Sequence, residues 1–73
     1  MLVLSRQRDE EVVFDFSAMT DSDLFALRSQ RVTVTVVDLR GAKVRLGFAA
    51  PVSVAIHRRE VFDAIRREAK ERA

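Results

Sequence analysis

Cysteine, tryptophan and tyrosine are absent from these 73 residues, proline occurs once and glycine twice, and His57 is the single histidine. The lack of cysteine rules out a disulfide, and with only one histidine it also rules out a Cys/His zinc site. No apolar run approaches the roughly 18 residues of a membrane span. The apolar opening Met1 to Leu4 stops at Ser5 and Arg6, far short of a signal-peptide core, so no membrane partner and a cytoplasmic location are expected. Trp and Tyr are missing and the five Phe fall on predicted core faces or in a central insert, which leaves no aromatic platform for stacking bases.

What is present is 48% hydrophobic and 33% charged, too apolar for a disordered chain. A single domain is the ceiling for this length. Such a chain buries only about 60% of its surface, and its core rarely supplies more than ~3–5 kcal/mol. With disulfides and zinc excluded, self-association is the remaining source of stability. The net charge of +2 is unevenly spread, because nine of the thirteen Lys and Arg lie in residues 32 to 73. A basic C-terminal half permits a polyanionic partner.

Periodicity divides the chain into five short strands and two helices. Residues 1 to 6 alternate, with Leu2, Leu4 and Arg6 on one face, and Val12 to Phe16 form a second strand. Thr20-Asp21-Ser22-Asp23 reads as a helix start with Thr20 as N-cap, and Leu24, Phe25 and Leu27 supply the apolar side of a short helix inside an insert of about 17 to 31. Val32 to Leu39 alternates strictly and pairs through Gly41 with Val44 to Phe48. Val52 to Arg58 reads as the fifth strand, with Val52, Val54, Ile56 and Arg58 on one face. From residue 59 to about 72 the period is helical, through Val61, Ile65 and Ala69, with Asp63 and Arg67 as an i,i+4 pair. Open edges on the terminal strands invite a second chain, so an intertwined homodimer is expected.

The opening Met1-Leu-Val-Leu-Ser-Arg6, Glu10, Gly41-Ala-Lys-Val-Arg-Leu-Gly47 and Ala50-Pro51-Val-Ser-Val-Ala-Ile-His57-Arg58-Arg-Glu60-Val61-Phe62 together resemble the carbon storage regulator family, CsrA. The likeness spans residues 1–14 and 32–65. It implies a mainly β, strand-exchanged homodimer with C-terminal helices, acting as a bacterial post-transcriptional regulator that binds GGA motifs in messenger RNA loops or ribosome-binding sites. An antagonist, either a small decoy RNA or a protein, is part of what it implies; a cofactor is not. By position the RNA-binding residues this implies are Leu4, Ser5 and Arg6 on the first strand of one subunit with Val54, Ile56, His57 and Arg58 on the fifth strand of the other. The chemistry is coherent: an Arg fork matches guanine O6 and N7, strand-edge amides and carbonyls read an unstacked purine, and Leu4 and Ile56 offer apolar shelves.

Other readings stand beside these. Arg6 serves either RNA or the dimer interface. Arg45 reads as a solvated or ion-paired strand residue. Arg66, Arg67 and Lys70 form a solvated helix face, with a secondary phosphate contact as the alternative. His57 lacks a nucleophile or carboxylate in register, so an enzyme is not expected. The chain departs from the family pattern at Asp9, where glycine is usual, at Gln7, where a second base is common, at Arg59 in place of an acid, and in the insert. Asp9 is expected to change its turn, and Arg59 to add charge beside Arg58.

Overall fold

In the computed structural model, which describes residues 1–72, alternation and turn chemistry produce strands β1 (Leu2–Gln7), β2 (Val12–Asp15), β3 (Thr33–Arg40), β4 (Lys43–Ala49) and β5 (Ala55–Arg58). Helix α1 (Asp21–Ala26) lies between β2 and β3, and α2 (Arg59–Arg72) follows β5 directly. The fold is therefore mainly β, with five strands and a C-terminal helix.

The β3–β4 hairpin turns at Gly41, whose φ of 56° is open to glycine at little cost. A bulge between Val36 and Asp38 interrupts the alternation that the sequence shows as continuous. β4 is the middle of a three-stranded antiparallel sheet in the order β1-β4-β3, with Leu4 opposite Leu46 and Arg6 opposite Val44. β2 and β5 form a separate two-stranded sheet, with Phe14 opposite Ile56 and Val12 opposite Arg58. The sheets meet where the rings of Phe14 and Phe48 pack edge to face, 5.8 Å between centroids.

Two sequence expectations need correction. The fifth strand does not begin at Val52: Pro51 has no N–H to give a ladder, and its carbonyl accepts from Val54 N at 3.0 Å. That turn leaves Val52 fully exposed and Val54 buried, although both were expected on one strand face. The Asp63–Arg67 pair is not formed among the described residues, because Asp63 accepts from Arg59 Nε at 3.1 Å one turn earlier.

The insert helix forms as expected. Asp23 N donates to Thr20 Oγ1 and Thr20 N to Asp23 Oδ2, both at 3.1 Å, which completes a capping box. Within one chain, however, its apolar side chains are left uncovered: Leu24 and Phe25 remain exposed, and the guanidinium of Arg28 lies over the Phe25 ring. Among the described residues no helix is long and apolar enough to cross a membrane.

The core is small. Phe48 and Val54 are the buried apolar residues among those described, while Val34, Val36 and Leu39 of β3 stay half exposed or more. The chain exposes 5942 Å², against roughly 4,600 Å² for a compact chain of this mass. It measures 40 × 36 × 16 Å, a plate with an apolar side unfilled by its own residues.

Candidate functional site

The turn from β1 into β2 sets the site's first wall. Asp9 takes the left-handed φ of 67° that glycine would occupy, and Glu10 N donates to Gln7 O at 3.1 Å. The turn expected to change is thus closed with an aspartate in it, a residue that tolerates this region better than most. Glu10 Oε1 in turn accepts from Gln7 N.

Arg6 points inward from β1 and is 7% exposed. Its Nη1 and Nη2 donate to Glu60 Oε1 and Oε2 at 2.9 and 2.8 Å, a bidentate fork. Nη1 also donates to Glu11 O at 3.2 Å, Nε donates to Ser5 O at 3.0 Å, and Glu10 Oε2 lies 3.8 Å from Nη2. Within this chain the guanidinium is engaged by protein groups of Ser5, Glu11 and Glu60. The hydrogen bonds from Arg6, reinforced by backbone bonding at the start of α2, hold the Glu60 carboxyl down at about 2. The same bond to Glu60 raises the Arg6 pKa. Glu60 lies 54 residues from Arg6 in sequence, so no local pattern reveals the pair.

The adjacent arginines at the β5–α2 junction differ. Arg59 N donates to Glu11 O at 3.0 Å, and its guanidinium is held by Asp63 and by Glu11 Oε2 at 3.7 Å. The charge that Arg59 was expected to add is therefore neutralised locally. Arg58 is exposed and has no hydrogen bond or ion pair among the described residues. It remains close enough to act electrostatically on Glu60, which stands between a committed arginine and a free one.

The remaining predicted residues divide between two surfaces. Val54 and Ile56 line an apolar hollow of about 520 Å³ with Met1, Leu2, Phe48 and Pro51. Leu4 is half-buried on the β1 face shared with Arg6, so neither Leu4 nor Ile56 stands fully exposed. His57 is half-buried opposite Val13. Ser5 lies on the opposite face, directly across from Arg45, and Gln7 lies across from Lys43. That basic side of the sheet was not singled out by sequence reasoning, although the alternation of Lys43, Arg45 and Gly47 signals it. β1 and β5 are each edge strands, leaving backbone donors and acceptors unpaired along both. Their ends are knit together at Glu11 O, which accepts from both Arg6 and Arg59.

An open strand edge, a free arginine fork and apolar shelves can read an unstacked base. Among the described residues no group of three or more His, Asp or Glu could hold a metal ion.

The family model of CsrA, a global regulator protein family, matches residues 1–67. A translational regulator CsrA of Rhodopirellula baltica is 43% identical over 67 residues, covering 92% of this chain and 76% of that protein. The translational regulator CsrA of Halothermothrix orenii is 35% identical over 71 residues, covering 97% and 70%. That of Lachnospira eligens is 33% identical over all 73 residues and covers 81% of its own length.

Proposed function

The chain belongs to the CsrA family of global regulators, and from that premise we propose that it binds messenger RNA at GGA motifs in single-stranded loops or ribosome-binding sites. Binding there represses translation or changes transcript lifetime. The observation that carries this reading is Arg58: a guanidinium on a strand end with no side-chain partner among the described residues, while Arg6 and Arg59 are tied. Arg58 takes the guanine edge, the β1 and β5 edges read the adjoining bases, and Arg45 and Lys43 face phosphates. Leu4, Ile56 and the hollow that Val54 helps to line supply apolar contact.

The binding unit in this reading is a homodimer of chains whose β1–β4 and β2–β5 ladders, closed within one chain here, are exchanged between the two. What supports it is the surplus surface, roughly 1,300 Å² per chain beyond a compact fold, which falls within the range of an obligate dimer once both chains are counted. Sedimentation at micromolar concentration returns twice 8.3 kDa if this holds and the single-chain mass if it does not. The exposed Leu24 and Phe25 favour a second reading, a protein-interaction module that includes an antagonist's docking site.

A gel shift with a GGA hairpin and a mutated-GGA control separates the two readings. Arg58→Ala costs about 1–3 kcal/mol of binding to the first hairpin and relaxes the preference over the second. Equal wild-type affinity for both hairpins overturns specific readout.

A further inference from the structure

Every residue expected to read bases lies on β1 or near β5, yet the group that relates these two edges is a carboxylate outside them. Glu60 opens α2 and receives both terminal nitrogens of Arg6. Arg6 in turn grips the carbonyls of Ser5 and Glu11, and Glu11 O also receives the amide of Arg59. One side chain therefore fixes three things: the direction of a β1 edge carbonyl, the approach of β2, and the residue immediately following Arg58. The node is nearly saturated, with four of the guanidinium's five N–H donors engaged at hydrogen-bond distance.

Arg6 and Arg58 both act on this one carboxylate, and without it two arginines would be left without that counter-charge, each able to take up an anion. We propose that Glu60 is a positioning residue for RNA recognition, binding Arg6 so that Arg58 alone presents its fork at the junction of the β1 and β5 edges. This rests on the RNA-binding reading above. It assigns Glu60 no RNA contact of its own; the part given to Glu60 is to accept both terminal nitrogens of Arg6.

The consequence differs from that of a plain stabilising ion pair. Neutralising Glu60 removes one negative charge, which favours any RNA through the sequence-independent electrostatic term. At the same time it releases Arg6 and lets the edge geometry drift, which harms readout of the bases. Affinity for a control RNA is then unchanged or higher, whereas discrimination falls.

The test compares wild-type chain, Glu60→Gln and Glu60→Asp against the GGA hairpin and its mutated control, each at two salt concentrations and at a temperature where melting shows the variants folded. Glu60→Gln is expected to lower the ratio of the two affinities by about tenfold, within what one bidentate base contact contributes. Its affinity for the control does not fall. Glu60→Asp keeps the charge but shortens the reach to Arg6, folds if Glu60→Gln does not, and gives an intermediate ratio. If the variants melt at lower temperature but discriminate as the wild type does, Glu60 is structural only and the inference is overturned. If the wild-type chain itself does not discriminate, the RNA reading fails and takes the inference with it.

Discussion

The junction of β1, β2 and α2 and the β2–β3 insert are both short irregular parts of one chain, and they settle their side chains in opposite ways. At the junction, polar groups saturate one another: Arg6 is buried under Glu60, Glu11 and Ser5. In the insert, local backbone chemistry is complete, with a reciprocal capping box, yet Leu24 and Phe25 remain in solvent. The difference is one of range. A capping box needs partners three residues apart, whereas burying Phe25 needs a surface that a single chain of this size lacks. At the junction long-range contacts orient charge, whereas the insert has none that cover its apolar side chains, which stay available for association.

Three perturbations sharpen or break that contrast. The largest effect is expected outside both regions, at the contact that joins the sheets. Phe48→Ala should cost ~3–5 kcal/mol, comparable with all that a core of this size supplies, so a urea titration followed by circular dichroism should find the chain largely unfolded. A loss below ~1 kcal/mol, the range of ordinary substitutions, would mean that the junction and not the aromatic pair holds the sheets.

Acid tests the junction itself. Glu60 sits at about 2 instead of its usual 4.5, held there by the hydrogen bonds from Arg6 and by backbone bonding, with the charges of Arg6 and Arg58 adding to them. Because the folded value lies below the unfolded one, the stabilisation is fully present above pH 4.5 and is lost as pH falls toward 2. Melting temperature should decline through that window in the wild type and less steeply in Glu60→Gln. Parallel curves would show that the pair contributes nothing net.

The smallest effect belongs to the insert. Leu24→Ser with Phe25→Ser should leave stability within about 0.5 kcal/mol, as for surface substitutions. A larger loss that appears only at high protein concentration would show that the insert is covered in the assembled protein.

Much of the fold can be read directly from the sequence because its signals are local. The Val-Thr alternation of residues 32 to 37 and Gly41 mark the hairpin, and Thr20 with Asp23 marks α1. The fifth strand was misjudged because Val52, Val54 and Ile56 keep the period while Pro51 withdraws the backbone from the ladder. The site was half legible. Arg58 stands out by its place at the end of a strand, but the fate of Arg6 depends on a carboxylate brought from the far end of the chain. The charge of Arg59 likewise vanishes only once Glu11 and Asp63 are beside it. Side-chain chemistry can be read from sequence; which partner uses it up cannot.

The pairing of Gln7 with Lys43 has one more consequence, which concerns time. At ~5–20 residues per second, synthesis leaves β1 outside the ribosome for roughly 2–7 s before β4 emerges to meet it. During that interval β1 carries unpaired backbone donors and acceptors, and in the homodimer proposed above it is the window in which pairing with a second chain would compete with closure on its own β4.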